Sequence, residues 1–310
     1  ESEEVVEPIS KNLEKQKVLE NAITAVQKNL KLPSVEYARI NGGPDSAESI
    51  IRALEVPILP EHLKGTSFDV SELHRKYPIM IQIPDSRKPV TIHASSTLSR
   101  ARFPAGVSYS NGFLWEDIQT MLSAAHVVEA INSEAAKLRI HDTFDAAFIE
   151  VSENNTALSS EYIVKDAHLT RRDIHGQLVA VVGIDPDETG DATGRKTYPG
   201  VAFALNEKSA EALFPNFFAR KELRRSLSRS CIVILPPGEG TTKGERRRVQ
   251  GMSGSPVFVF HEGQYKIAGV FWGGGTILVG QKEVDVGFFL PIDEVRTELA
   301  GSRVWPLREA

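Results

Sequence analysis

The feature of this sequence that most constrains its fold is a succession of short, β-rich segments that begins near Tyr77. The segments contain many valines, isoleucines and phenylalanines, and turn residues separate them. They are Ile79–Ile83, Val90–Ser95, Gln119–Ala125, Lys137–Ile140, Ala146–Val151, Leu178–Gly183, Tyr198–Leu205, Cys231–Leu235, Pro256–Phe260, Tyr265–Trp272, Thr276–Gly280 and Asp285–Pro291. Short strands at this spacing are typical of an antiparallel sandwich or barrel. We therefore predict a mainly β protein, interrupted by helices at Glu207–Arg229 and Ile292–Ala300.

The first 76 residues have a different pattern. Apolar residues recur at helical spacing between Ile9 and Leu30, and Pro33 ends the pattern. A second, shorter helix is indicated between Ser46 and Leu54. We predict that residues 1–76 form a helical extension that packs on the rest of the chain or recruits a protein partner, and that residues 301–310 form a C-terminal tail.

Composition argues against several classes of function. The 310 residues include 36 lysines and arginines against 41 aspartates and glutamates, a formal net charge of −5. This balance argues against a protein that coats nucleic acid. No apolar run approaches the roughly 20 residues that a helix needs to cross a bilayer, so we expect no membrane span.

The cysteine and histidine content limits which disulfide bonds and metal sites the chain can form. Cys231 is the single cysteine, so the chain forms no internal disulfide and no cysteine-based metal cluster. The sequence contains no His-Glu-x-x-His motif. We therefore predict that the protein uses no metal or other cofactor. The absence of disulfides favours an intracellular location, although the sequence leaves localisation open.

The sharpest local motif is Gly251-Met252-Ser253-Gly254-Ser255-Pro256. A glycine two residues before a serine allows a tight turn in which successive N–H groups point toward one spot. An oxyanion would be stabilised at such a spot, with the serine hydroxyl beside it. The same residues also fit an ordinary turn that enters a strand, so the motif needs catalytic partners elsewhere in the chain.

Two other segments provide those partners, because a nucleophilic serine requires a base that a third group orients. His126 ends the apolar segment Met121–Ala125, and Asp145 opens the strand-like segment Ala146–Val151. A carboxylate at the start of a buried strand is suited to hold one imidazole tautomer. Asp142, three residues earlier, is a rival for the acid.

These segments resemble those of the chymotrypsin-like (trypsin-like) serine proteases, and the last of them is most similar to the high-temperature-requirement branch. The matching segments are Ser123–His126, Asp145–Ile149, Gly251–Pro256, Ala268–Gly273 and Val286–Ile292. The resemblance implies two packed antiparallel β-barrels, about residues 77–165 and 175–291, within a protease domain at 77–300. It places the active site in the cleft between the barrels.

The resemblance also implies a serine endopeptidase that acts on a protein or peptide substrate. In that family pattern Ser253 is the nucleophile, His126 is the general base and then acid, and Asp145 orients His126. The N–H groups of Gly251 and Ser253 form the oxyanion hole. The residues implied to bind substrate are Trp272, Gly273, Gly287 and Arg247, the last of which would favour an acidic side chain beside the scissile bond.

Three departures from the family pattern qualify this interpretation. Met252 replaces the aspartate that receives a new N-terminus in secreted members, so we predict activity without N-terminal cleavage. Phe271 replaces a serine whose hydroxyl usually supports the triad acid. Nineteen residues separate His126 from Asp145, which is a short interval and predicts a trimmed first barrel. These departures leave one alternative, a catalytically inactive protease-fold binding or scaffold module.

Overall fold

The computed structural model describes residues 73, 79–83, 91–94, 108–116, 120–128, 137–141, 144–150, 160–184, 195–235, 251–279 and 282–300. The two helices predicted in the first 76 residues and the tail at 301–310 lie outside these residues. Asp142 and Arg247 also lie outside them.

Seven strands in the first half of the chain form one sheet. They are β1 (Ile79–Ile83), β2 (Thr91–Ala94), β3 (Ser108–Trp115), β4 (Thr120–Ser123), β5 (Lys137–His141), β6 (Phe144–Glu150) and β7 (Ile163–Val164). The strand order is β2-β1-β3-β4-β6-β5, and β7 adds a parallel pairing to β3. All other pairings in this sheet are antiparallel.

The second half of the chain forms a closed six-stranded barrel. Its strands are β8 (Leu178–Ile184), β9 (Arg195–Ala204), β10 (Cys231–Ile234), β11 (Pro256–His261), β12 (Gln264–Val279) and β13 (Lys282–Pro291). They are all antiparallel and close in the order β10-β13-β12-β11-β8-β9. This architecture confirms the predicted mainly β fold class.

The strand β8 shows why this part of the sequence forms a barrel. All seven of its residues are buried. Val179 and Val181 belong to an apolar cluster with residues from all six barrel strands, which is the barrel interior. Leu178, Ala180 and Val182 belong to a second cluster, which also contains residues of the first sheet. A strand with apolar neighbours on both faces has a continuous apolar run, because successive side chains point to opposite faces.

Six α-helices with defined bounds lie among the described residues, in addition to a short 3-10 helix at Ser160–Tyr162. They are α1 (Ala125–Val128), α2 (Arg171–Ile174), α3 (Glu207–Leu213), α4 (Pro215–Phe218), α5 (Lys221–Arg229) and α6 (Ile292–Ala300). The single helical region predicted at 207–229 is therefore three short helices. Pro215 begins α4 because it lacks the N–H that continuing α3 would require. None of the helices in the described ranges is long and apolar enough to cross a bilayer.

Three strand predictions differ from the structure. The sequence pattern predicts neither the short β7 nor β3, whose Asn111-Gly112 pair is a typical turn signal inside a polar stretch. It predicts two strands at 265–272 and 276–280, where β12 is one continuous strand. Gly273, Gly274 and Gly275 each pair with a residue of β13, and a register shift at Trp272 absorbs the irregularity. Glycine runs weaken a strand locally, but pairing along the whole hairpin compensates here.

Candidate active site

His126 and Asp145 contact each other at the end of the first sheet. Ser123, the last residue of β4, pairs with Ala147 of β6, which brings the start of α1 beside Asp145. The His126 ring nitrogen Nδ1 lies 2.7 Å from Asp145 Oδ2, and the His126 backbone N–H donates to Asp145 Oδ1 at 3.0 Å. The imidazole is 48% exposed, whereas the carboxylate is 11% exposed.

This arrangement constrains what the imidazole does chemically. A carboxylate that accepts from Nδ1–H selects the tautomer in which Nε2 carries a lone pair. The second bond, from the His126 backbone, anchors the same carboxylate and prevents it from rotating away. The pair therefore presents an oriented, accessible base at the surface of the site.

Asp145 is supported from the second half of the chain by Ser226 of α5. The Asp145 backbone N–H donates to Ser226 Oγ at 2.7 Å, and the Ser226 side chain is buried. A hydrogen-bond chain continues from there: Ser230 Oγ donates to the Ser226 carbonyl at 2.7 Å, and Trp272 Nε1 donates to Ser230 Oγ at 2.9 Å. A hydroxyl thus supports the Asp145 backbone, although Phe271 offers none.

Ion pairs fix α5 against α6. Arg225 contacts Glu298 at 2.6 Å and Arg229 contacts Glu294 at 2.9 Å. Such pairs, with one partly exposed partner, contribute little stability each, but two on successive turns define the position of the helix. Sequence reasoning missed Ser226, because its only local signal is a serine pair at i and i+4 near the end of a helix.

Ser253 lies in a tight turn with glycines on both sides. Gly251 and Gly254 both have φ of +86°, a backbone conformation that residues with a Cβ rarely adopt. The Ser255 N–H donates to the Met252 carbonyl at 3.0 Å, which closes the turn. Gly254 at its third position is the residue that a type II turn requires.

The turn determines where the Ser253 N–H points. A trans peptide places its N–H opposite its carbonyl, and the Met252 carbonyl is directed into the turn toward Ser255. The Ser253 N–H therefore points out of the turn, and within the described ranges it donates to no protein acceptor. The Gly251 N–H, the second predicted oxyanion donor, belongs to the peptide with Gln250, which lies outside the described residues.

The first sheet contacts the turn through β3. The Asn111 backbone N–H donates to the Ser253 carbonyl at 3.2 Å, and Ser123 Oγ donates to the Asn111 carbonyl at 2.6 Å. Ser123 is only three residues before His126. A Cβ on Gly254 would lie 1.9 Å from the Asn111 carbonyl oxygen, so the two halves of the chain approach at backbone distance here. The structure thus brings the turn against the segment that leads into His126.

Met252 is fully buried beneath the turn. Its side chain and Ser255 Oγ occupy the space where a Cβ on Gly183 would lie, at 2.7 Å from Met252 Cε and 2.2 Å from Ser255 Oγ. Apolar packing therefore occupies this position beside Ser253, where an acidic side chain would require a charged partner.

The Cys231 thiol is not a competing nucleophile. It lies in the barrel interior with no exposed surface. Burial raises the pKa of this thiol far above its usual range, with a smaller opposing effect from Arg171. Only the thiolate attacks carbonyl carbon efficiently, so a thiol that stays protonated has a packing role.

The predicted substrate-binding residues occupy different environments. Trp272 is buried and stacks on Phe288, with ring centroids 5.2 Å apart, while its carbonyl accepts from Ser253 Oγ at 3.3 Å. Gly273 is partly exposed on the same strand. A Cβ on Gly287 would lie 2.5 Å from Phe271 Cε2, so this glycine makes room for the Phe271 ring. Within the described part of the chain, no group of three metal-ligating side chains is present.

Comparison with protein-family models and with curated proteins gives no match. Among solved structures, the chain is similar to Deg5, at 12% identity over 76% of this chain and 94% of that one, with a TM-score of 0.40. It is similar to a serine endoprotease from Yersinia pestis, at 11% identity over 79% and 68%, with a TM-score of 0.41. It is also similar to a mutant of the tobacco etch virus protease, at 9% identity over 72% and 77%, with a TM-score of 0.37. The strand pairings described above, independently of these similarities, establish the fold as mainly β with a closed six-stranded barrel.

Proposed function

We propose that this protein is a serine endopeptidase. The observation that supports this proposal most directly is the double contact of the Asp145 carboxylate with Nδ1 and the backbone N–H of His126. A mostly buried carboxylate that orients a half-exposed imidazole is the arrangement that general-base catalysis requires. Ser253 provides the nucleophile, in a turn from which the Ser253 N–H points outward.

The proposed reaction proceeds through an acyl-enzyme. Ser253 Oγ attacks the carbonyl carbon of the scissile peptide and transfers its proton to His126 Nε2. The N–H groups of Ser253 and Gly251 stabilise the oxyanion, and the C–N bond breaks as Nε2 gives the proton to the leaving amine. A water molecule then loses a proton to Nε2 and attacks the ester carbonyl carbon. The bond between that carbon and Ser253 Oγ breaks, and Nε2 returns the proton to Oγ, which releases the acid and restores the Ser253 hydroxyl.

The substrate strand has an open edge to pair with in this proposal. β11 pairs with β12 only as far as Val270, while β13 pairs with the other side of Gly273–Gly275. Within the described residues, the edge of Gly273–Gly275 that faces away from β13 has no strand partner. An extended peptide therefore fits there by strand addition.

One observation favours the alternative of an inactive binding module. The Ser253 hydroxyl donates to the Trp272 carbonyl, so its proton is directed away from the base in this conformation. At 3.3 Å this hydrogen bond is long for an O–H donor, and a bound substrate would exchange it for the His126 contact. Turnover therefore distinguishes the two proposals.

A fluorophosphonate probe tests the proposed nucleophile. We expect the full-length wild-type chain to be labelled on Ser253, and Ser253→Ala to remain unlabelled, because the probe reacts only with an activated serine. Ser255→Ala is the matched control, since its hydroxyl is fully buried and has no hydrogen-bond partner among the described residues. Peptide mass mapping locates the adduct. No labelling of the wild type between neutral and mildly alkaline pH would instead support the inactive module.

A further inference from the structure

Asn111 is a polar residue in the contact between the two halves of the chain, and it is only 1% exposed. Its backbone N–H donates to the Ser253 carbonyl, and its own carbonyl accepts from Ser123 Oγ and Ser110 Oγ. A buried polar side chain is costly unless it is fully hydrogen-bonded, so the contacts of its amide indicate why an asparagine is present.

The Asn111 amide binds two backbone segments of the second half. Its Oδ1 accepts from the Ile184 N–H at 2.9 Å, and its Nδ2 donates to the Ile184 carbonyl at 2.8 Å. The remaining Nδ2 hydrogen donates to the Gly251 carbonyl at 2.6 Å. The side chain therefore joins the end of β8 to the residue two before Ser253.

This contact set requires a primary amide. It needs one acceptor and two donor hydrogens at the end of a short side chain, which neither a carboxylate nor a hydroxyl supplies. The orientation of the amide is unambiguous, because the reverse assignment would place its oxygen against two carbonyls.

Gly251 is a residue of the turn whose backbone conformation requires an external hydrogen bond to hold it. Glycine reaches the positive φ of +86° without strain, but it also has more conformational freedom than any other residue. Asn111 constrains the chain on both sides of Met252, through its amide on the Gly251 carbonyl and its backbone on the Ser253 carbonyl. These bonds hold the two peptides on either side of the Met252–Ser253 peptide, which carries the Ser253 donor, and the first of them also follows directly after the Gly251 N–H.

We propose that Asn111 is a positioning residue for the oxyanion hole. Its amide holds the Gly251 carbonyl and Ile184, and so keeps the nucleophile turn in register with the sheet that carries His126 and Asp145. This inference rests on the proposed peptidase function. The proposed oxyanion hole consists of backbone N–H groups, which cannot fix their own positions. A side chain from the other half of the chain therefore holds them in place.

The test separates positioning from substrate binding and from folding. Asn111→Ala and Asn111→Asp are compared in the full-length chain, using a peptide substrate and a peptide aldehyde whose hemiacetal oxygen occupies the hole. We expect kcat to fall roughly 30- to 100-fold with KM within about threefold, because the substrate strand β12 is untouched. We expect aldehyde affinity to weaken by a similar factor. Circular dichroism and thermal melts verify that each variant is folded at the assay temperature.

Ser123→Ala is the matched control, because it removes a buried hydrogen bond to the same residue without touching the Gly251 carbonyl. We expect its kcat to remain within about threefold of wild type. An active wild type with equal kcat in Asn111→Ala overturns this inference alone, as does a loss confined to KM or an unchanged aldehyde affinity. Failure of both Asn111 variants to fold also overturns it, since the amide would then be a folding determinant. A wild type that neither labels nor cleaves overturns the proposed function as well.

Discussion

The two sides of the candidate active site are built in different ways. On one side, the proposed mechanism uses the side chains of His126 and Asp145, and the imidazole is 48% exposed. On the other side, it uses largely the backbone of the turn around Ser253, and Met252, Gly254 and Ser255 within this turn are buried. A base must reach solvent and substrate to exchange protons, whereas backbone donors are effective only if their peptides do not move.

This difference divides the consequences of mutation. Substitutions of His126 or Asp145 should abolish the proposed chemistry with little loss of stability, because the half-exposed imidazole makes few packing contacts and isosteric replacement of the carboxylate preserves its volume. Substitutions around the turn should lower kcat and the melting temperature together while the variants stay folded at the assay temperature, because the same hydrogen bonds hold the turn and join the two halves of the chain. The experiments below test this division, from the largest expected effect to the smallest.

The largest effect is expected for Asp145→Asn. The amide cannot hold His126 in the required tautomer, so we expect kcat/KM for a peptide substrate to fall about 10⁴-fold. The melting temperature should change little, because the volume is unchanged and the oxygen facing the His126 N–H is retained. Steady-state kinetics and thermal melts measure the two quantities.

Asp173→Asn is the control for Asp145→Asn. Asp173 is also a carboxylate that accepts from a backbone N–H, that of Thr170, but it caps α2 at the surface. We expect wild-type kinetics in this variant. A loss smaller than about tenfold in Asp145→Asn would indicate that another acid, such as Asp142, orients the base.

Ser226→Ala should have an intermediate effect, below the loss expected for Asn111→Ala. It removes the acceptor of the Asp145 backbone N–H and leaves that donor partly buried, which costs about 1 kcal/mol. If this whole cost is expressed as displacement of the His126–Asp145 pair, we expect kcat to fall by up to about fivefold. Ser228→Ala on the same helix is the control, because its hydroxyl donates only to the Arg225 carbonyl. Equal kcat in the two variants would show that the hydrogen bond between α5 and Asp145 does not affect the catalytic step.

The smallest effect on activity is expected at His175, which contrasts with His126. Its Nδ1 accepts from the Ala204 N–H at 3.0 Å, and burial lowers its pKa to about 4. The native state therefore favours the neutral ring. The neutral His175 ring contributes its full share to the free energy of unfolding above the unfolded-state pKa of about 6.5. This contribution, on the order of 3 kcal/mol, is lost as the pH falls toward 4.

Urea unfolding at several pH values tests this dependence. Wild type should lose stability between about pH 6.5 and pH 4, whereas His175→Asn, whose Oδ1 still accepts from the Ala204 N–H, should lose less over the same range. Activity of both at neutral pH should be equal, because His175 contacts Phe203 and Ala204, neither of which is among the proposed site residues. Identical pH slopes in the two proteins would contradict the assignment.

Much of the fold and the reactive side chains followed from local sequence patterns. Strand β8 has a continuous apolar run because both of its faces are buried, and such runs mark strands without any knowledge of their partners. His126 and Asp145 stand at the ends of apolar segments, and strand pairing brings such ends together. The catalytic roles of these residues remain proposals.

Other parts of the site could not be predicted in the same way. The Asn111-Gly112 pair indicates a turn locally, yet pairing with β1 and β4 makes it the middle of β3. The glycines of β12 indicate a break, yet β13 pairs with all three of them. In both cases long-range hydrogen bonds outweigh a weak local preference.

By itself, the sequence determined the β class, the absence of an internal disulfide and the three segments that contain His126, Asp145 and Ser253. Only the tertiary structure decided how those segments are held. The Asn111 amide binds residues 73 and 140 positions away, and Ser226 binds Asp145 across 81 positions. Each of these contacts consists of one or two hydrogen bonds that form only after the two halves of the chain have packed. No local spacing encodes it, because its partners are neighbours in space and not along the chain.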